Sequence, residues 1–301
     1  MELRQLRYFV RTAEVLNFSQ AAKSLYVTQS TLSQQIRQLE QELDTVLFLR
    51  DSHSVVLSEA GERLLPYAKQ TLQSAEACVD HVRDLKEMLS GSLNIGITYS
   101  FAPILTETVK DFIKLYPNVK LNIWYKTMEE LMTMLRKKDL DFVLAFKPSV
   151  PYAEIESHIL FDNHLSVIMS RNHPLAFEKS LPLEEILPYS IAMPSKGMQA
   201  RNAFDRFCPG AFGKLNVRVE LNDVNTLLEL VRGSSLLTVL SDATIHQFDG
   251  LTAVPLEMEN NQMEGCVHML AKSYRKRAAE EFIRILNDSE AVRERATDWL
   301  K

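Results

Sequence analysis

The chain is poor in cysteine, in long apolar runs and in surplus positive charge, and each shortage excludes a class of protein. Its three cysteines, Cys78, Cys208 and Cys266, are odd in number and far apart in 301 residues. They suit a reducing compartment better than a disulfide framework. No window approaches the roughly eighteen apolar residues of a membrane span, so no membrane partner is expected. The N-terminus is charged and amphipathic where a secretory signal needs an apolar core, and the cytoplasm is the expected location. Net charge is −5, which argues against indiscriminate polyanion binding. Residues 1–60 hold six Lys/Arg (Arg4, Arg7, Arg11, Lys23, Arg37, Arg50) against seven Asp/Glu. One copy of this region is therefore a weak electrostatic match for nucleic acid, and pairing would have to double its contacts.

Catalytic signatures are missing too. There is no Gly-x-Ser-x-Gly elbow, His-Glu-x-x-His pair, phosphate loop ending Gly-Lys-Ser/Thr or Gly-x-Gly-x-x-Gly turn. His158 and His164 lack a recognisable metal spacing. The carboxylate pairs Glu129–Glu130, Glu184–Glu185 and Glu280–Glu281 are adjacent residues of solvated helix faces. No enzymatic activity, cofactor or metal is expected. The sequence contains no repeat and no low-complexity tract.

What is present is organised around Phe18–Leu39, FSQAAKSLYVTQSTLSQQIRQL. Phe18, Ala21, Ala22 and Leu25 recur at helical spacing, with Ser19 placed to cap that first helix. Thr28 is placed to cap a second, whose apolar stripe is Leu32, Ile36 and Leu39. The small pair Ala21–Ala22 lets the helices approach as in a helix-turn-helix. The opposite face of the second helix carries Gln29, Ser30, Thr31, Ser33, Gln34, Arg37 and Gln38. Such side chains reach base edges and phosphates in a major groove. Taken alone, the same face reads equally well as the solvated side of an amphipathic hairpin.

Its neighbours favour the first reading. LRQLRYFV at 3–10, Phe-Ser-x-Ala-Ala at 18–22 and Thr-Gln-Ser-x-Leu-Ser-x-Gln-Ile at 28–36 occur in order, followed by Leu-Glu-x-Glu-Leu at 39–43, Leu-Phe-x-Arg at 47–50 and Leu-Ser-x-Ala-Gly at 57–61. This set closely resembles the N-terminal domain of LysR-type transcriptional regulators. The resemblance implies a double-stranded DNA operator as partner. It makes Gln29, Ser30, Thr31 and Gln34 candidates for base edges, with Ser33 and Arg37 leaning to phosphate. Arg50, His53 and Ser54 would form the wing. Two positions depart from the family. Asp44 stands where Gly is usual, so the turn there must be made without its customary φ > 0 residue. His53 stands where Arg is favoured, so the wing contact would be weaker or pH-sensitive.

Beyond Ser58, Leu65, Ala68, Leu72, Ala75, Val79 and Val82 are spaced 3, 4, 3, 4, 3, with Leu89 a heptad later. This is a coiled-coil seam on one long helix, interrupted by Lys86. A narrow seam needs a partner, or else packs on its own domain. The resemblance implies a homo-oligomer, a dimer through this linker helix or a tetramer built from it, meeting a two-fold-symmetric site. Ser90-Gly91-Ser92 ends the helix.

Residues 92–301 alternate strand and helix signals, which argues for α/β units with mostly parallel sheets. SLNIGIT, an apolar helical run at 103–115, NVKLNIWY, MEELMTMLRKK and DLDFVLAF come first; HLSVIMS, SIAM, QARNAFDRF, LNVRVEL, DVNTLLELVRG and SLLTVL follow. GSLNIGITYSFAPILTETVKDFIKLYPNVKL, LDFVLAF and RNHPLA at 171–176 are similar to the effector-binding domain of the same family. The expected fold is thus α/β overall. It comprises a winged helix-turn-helix (1–57), a linker helix (58–90) and a two-lobed periplasmic-binding-protein-like domain (91–301). Lobe I would span 91–161 and 267–301, and lobe II 162–266, with crossings near Phe161–Asn163 and Val267–Met269.

In open α/β sheets ligands bind beyond the carboxyl ends of strands. That places Thr98, Tyr99, Ser100, Phe101, Thr127 and Phe146 of one lobe opposite Ser195, Lys196, Gly197, Met198 and Ser241 of the other. Hydroxyls and a helix N-terminus there suit a small, anionic effector. Thr98, Ser100, Thr127 and Ser241 also read as helix caps, and Phe101 and Phe146 read better as core. Some relatives in the family sense peroxide through paired cysteines, but Cys208 has no second cysteine about nine residues before it. A solute-binding protein or an enzyme on the same scaffold are the remaining alternatives.

Overall fold

The computed structural model describes residues 1–50, 55–84, 89–246, 248–258, 261–290 and 292–293. These fall into two compact units, residues 1–87 and 88–301.

In the first unit, α1 (Leu3–Val15), α2 (Phe18–Ser24) and α3 (Gln29–Glu42) precede the strands β1 (Phe48–Arg50) and β2 (Val55–Leu57) and the long helix α4 (Glu59–Asp84). The cap of α2 is Asn17, whose side chain accepts from Gln20 N at 3.0 Å. The expected Ser19 lies inside the first turn, because Asn17 already holds the extended conformation a cap needs. Thr28 caps α3 as expected, accepting from Thr31 N at 3.2 Å. Leu32, Ile36 and Leu39 are fully buried beside Phe9, Phe18 and Phe48. Burying three such side chains contributes roughly 6 kcal/mol, an upper bound. The turn after α3 keeps its left-handed residue: Asp44 itself adopts φ 47°, which Asp tolerates better than most side chains.

Two motif residues join the wing to the helices. Glu40 Oε1 accepts from Leu47 N at 2.9 Å and Phe48 N at 3.3 Å. Gly61 lies so close to the chain that a Cβ there would meet the Leu47 carbonyl oxygen at 2.3 Å.

The seam on α4 is only partly open. Ala68 is buried and Leu65 and Leu72 half-buried against the first unit's own core, and Lys69 pairs with Glu14 of α1 at 3.1 Å. Val79 is 48% exposed. Leu89 belongs to the core of the second unit and takes no part in the seam.

The second unit begins with β3 (Gly91–Ile97), α5 (Ala102–Leu115), β4 (Val119–Tyr125), α6 (Met128–Arg136), β5 (Phe142–Phe146) and β6 (Ile155–Asn163). It continues through β7 (Leu165–Ser170), α7 (Leu183–Ile186), β8 (Ser190–Pro194), α8 (Gln199–Phe207), β9 (Asn216–Leu221), α9 (Val224–Arg232), β10 (Thr238–Ser241) and β11 (Leu251–Pro255). The strand β12 (Met263–Leu270) and helix α10 (Arg277–Asp288) complete it. One lobe is the sheet β4-β3-β5-β12-β6; the other holds β10-β7-β11 and the pair β8-β9, joined by a bridge from Ile191 to Leu237.

The sheets are mixed, against the expectation of mostly parallel pairing. β3 runs parallel to β4 and β5, and β8 to β9, as crossovers through helices require. β12 is antiparallel to β5 and β6, and β7 to β10 and β11. Those central strands are the ones that arrive from the other lobe, and they enter each sheet reversed. The first passage between lobes is at His164. The second comes before Met263, ahead of the expected Val267–Met269, because Met263–Leu270 is one continuous strand paired to β6 from Asn163 to Ile155. Asn261 ties the two passages together: it accepts from Leu165 N and donates to the carbonyls of Leu165 and Leu256, each at 2.8 Å.

Candidate functional site

The first candidate surface is the outer face of α3. With Leu32, Ile36 and Leu39 turned inward, Gln29, Ser30, Thr31, Gln34 and Arg37 are exposed and Ser33 half-buried. The hydroxyls of Ser30 and Thr31 lie 2.9 and 2.8 Å from Thr28 Oγ1, so the cap pre-orders them. Arg37 makes no ion pair among the described residues, while Arg4 and Arg11 are matched to Glu2 and Glu14. The outer helix face therefore carries a cation that no carboxylate among the described residues neutralises. β1 and β2 pair from Phe48–Leu57 to Arg50–Val55; His53 and Ser54 lie outside the described residues.

The second candidate is a cavity of about 410 Å³ between the lobes of the second unit. Thr98, Tyr99 and Ser100 line one wall, with Thr127 at the cap of α6; Ser195, Lys196 and Met198 line the other. Thr98 is 5% exposed and its hydroxyl has no partner among the described residues, although buried hydroxyls ordinarily find one. Thr127 does serve as a cap, in a reciprocal pair with Glu130. That network, led by the Thr127 hydroxyl and then Lys126, holds the Glu130 carboxyl at about 2. Lys126 is committed to Glu130 at 3.0 Å. Lys196 is exposed and has no carboxylate partner among the described residues.

Four expected positions are elsewhere. Phe101 and Phe146 are core, their ring centroids 5.2 Å apart, because both lie on the buried side of the lobe I sheet. Ser241 is wholly buried and donates to Asn163 Oδ1 at 3.0 Å beside the first passage between lobes. Gly197 does not line this cavity; it sits at φ 90° with its N–H on Asn202 Oδ1 at 3.2 Å, and it borders a neighbouring cavity of about 560 Å³.

Sequence reasoning named Tyr99 and Phe146 but passed over their partners across the cleft, Asp223 and Gln199. Tyr99 OH donates to Asp223 Oδ2 at 3.0 Å. Gln199 accepts from Phe146 N at 3.3 Å and donates to Phe146 O at 3.1 Å. Burial, then the Asp223 carboxylate, pushes the Tyr99 phenol up; the Asp223 carboxyl is held low by Thr226 at the cap of α9 and also by Tyr99. Tyr125, centroid 5.1 Å from Tyr99, adds an aromatic wall. A polar residue just after a strand was the available signal for Asp223; nothing local marks Gln199.

Cys208 is half-buried with its Sγ 2.9 Å from Met258 Sδ. Burial, then Glu184, pushes its thiol up, which disfavours the thiolate that reacts with oxidants.

Two family models match the chain: "Bacterial regulatory helix-turn-helix protein, lysR family" over residues 3–62 and "LysR substrate binding domain" over residues 86–291. The chain is 32% identical over 262 residues to the HTH-type transcriptional regulator ShiR of Corynebacterium glutamicum (strain R), covering 85% of this chain and 86% of that one. It is 29% identical over 280 residues to the transcriptional dual regulator GltC of Bacillus subtilis (strain 168), covering 92% and 93%. A full-length OxyR variant from Pseudomonas aeruginosa shares the fold with a TM-score of 0.72 at 24% identity, over 97% of this chain and 95% of that one.

Proposed function

The chain belongs to the LysR family of bacterial transcriptional regulators, and on that premise we propose how its own residues divide the work. Gln29, Ser30, Thr31 and Gln34 meet base edges in a major groove, with Ser33 and Arg37 on phosphate. Arg50, His53 and Ser54 form the wing. The observation that carries this reading is the exposure of the α3 polar face, with its cap hydroxyls already ordered, opposite a fully buried stripe. The protein acts in the cytoplasm as a homodimer, or a tetramer built from dimers, joined along the α4 residues its own domain leaves open. No enzymatic step is assigned to it.

The cleft between the lobes takes a small anionic effector. Lys196 supplies a charge and Thr98 a hydroxyl, neither partnered among the described residues, and Tyr99 with Tyr125 supplies an aromatic wall. Binding there biases how far the lobes close, and that bias changes the spacing of paired reading helices. Retardation of the DNA upstream of its own gene tests the first part. A thermal-shift screen over small carboxylates and phosphates tests the second, since a ligand that binds only the folded state raises its stability. A redox reading through Cys208 is weaker, given the protonated, half-buried thiol.

A further inference from the structure

The turn between α2 and α3 contains a side chain that the fold does not explain. Tyr26 adopts φ 56°, the left-handed residue of the α2 C-cap, with Val27 N–H on Ala22 O at 3.1 Å and its own N–H on Lys23 O at 3.3 Å; the position suits Gly or Asn better than a bulky side chain. It is also 96% exposed, so its ring gains nothing from the core. On either side Leu25 and Val27 are half-buried against the first unit's core, which fixes the backbone and leaves Tyr26 projecting outward. A bulky, exposed side chain at a cap position that favours Gly or Asn, with no packing role, is a pointer to function.

Its position supplies the function. Tyr26 follows Lys23, exposed in the last turn of α2, and precedes Thr28, the cap that orders Ser30 and Thr31. In a helix-turn-helix the first residues of the second helix meet base edges, and the groups flanking them border the phosphate backbone. We infer that Tyr26 is a further DNA contact, its phenol donating to a phosphate oxygen beside the groove that α3 enters. It rests on the regulatory role proposed for α3. A neutral donor to phosphate strengthens binding to any duplex equally and displaces no counterion of its own.

The test is a mobility-shift titration of the full-length chain at several salt concentrations, on the DNA upstream of its own gene and on an unrelated duplex. The variants are Tyr26→Phe, Tyr26→Asn and, for comparison, Gln29→Ala. Tyr26→Phe should weaken both complexes by the same factor, about tenfold, with the salt slope unchanged. Tyr26→Asn should weaken both while its melting temperature holds or rises, because Asn relieves the backbone; a fall in affinity with the fold intact is then the mark of the missing phenol. Gln29→Ala should weaken only the upstream DNA. Wild-type affinity in Tyr26→Phe overturns the inference, and an effect confined to the upstream DNA overturns the phosphate assignment. Should the wild-type chain retard neither duplex, the regulatory reading falls and this inference with it.

Discussion

The phenol of Tyr99 in one lobe donates to the carboxylate of Asp223 in the other, at 3.0 Å across the mouth of the cleft. Asp223 also caps α9 through Thr226 N at 2.8 Å, so the contact is anchored in secondary structure on the far side. A short way along, Gln199 pairs both ways with the Phe146 backbone. An effector seated here must keep, replace or break these bonds, and each outcome moves the lobes differently.

Gln199→Ala should leave Phe146 N–H without its acceptor. Amide exchange at Phe146 is expected to quicken by about fivefold, the equivalent of one modest hydrogen bond. Exchange at Ile95, inside β3, should not change.

The α3 face separates into two kinds of contact. Gln29→Ala should cost about 1–3 kcal/mol of affinity for the native operator without disturbing the oligomer. Arg37→Ala should instead flatten the salt dependence of binding, by about one unit of slope for each phosphate no longer neutralised. An unaltered slope would contradict the phosphate role.

Glu40 supports the wing from inside α3. Glu40→Ala strands the N–H groups of Leu47 and Phe48 and should destabilise the first unit by about 2–3 kcal/mol. Glu40→Gln, which keeps an acceptor oxygen, should recover much of that in a thermal melt.

Two substitutions on α4 distinguish the packed seam from the open one. Ala68→Asp places a charge in the first unit's core and should unfold it. Val79→Asp should leave that unit folded and weaken self-association in sedimentation at micromolar concentration.

His268 sets a pH dependence. It is wholly buried in β12, with Nδ1 2.8 Å from Ser157 Oγ and Nε2 3.1 Å from the Ala145 carbonyl. Burial pushes it down to about 4 from the usual 6.5, with His158 adding to the effect and the backbone bonds opposing it. Between these values the unfolded chain binds the extra proton, so stability is complete near neutrality and falls as pH drops. The loss should reach roughly 2–3 kcal/mol at about pH 4.5 in urea unfolding. His268→Gln should flatten that slope.

Much of the DNA-binding unit was legible in one dimension. The stripe Leu32–Ile36–Leu39 and the cap at Thr28 follow from local rules, and α3 is where they put it. The strand β6 was not legible: Ile155–Asn163 carries Glu, Ser, His and Asp, and it is a strand because β12 pairs along its full length. Ser241 and Phe146 stand at strand ends, as cleft residues should, yet hinge and core claimed them.

Residue order alone was enough to mark the apolar faces and the helix starts, because caps and periodicity act over a few residues; the paired reading module ahead of an α/β receptor was implied by the family's ordered motifs. What covers each face was settled by folding. Leu65, Ala68 and Leu72 are taken by the first unit's own core, Leu89 by the second unit, and the cleft is bridged by Gln199 and Asp223. Those outcomes depend on contacts between residues as many as 124 positions apart, and local spacing says that a surface must be buried without saying against what.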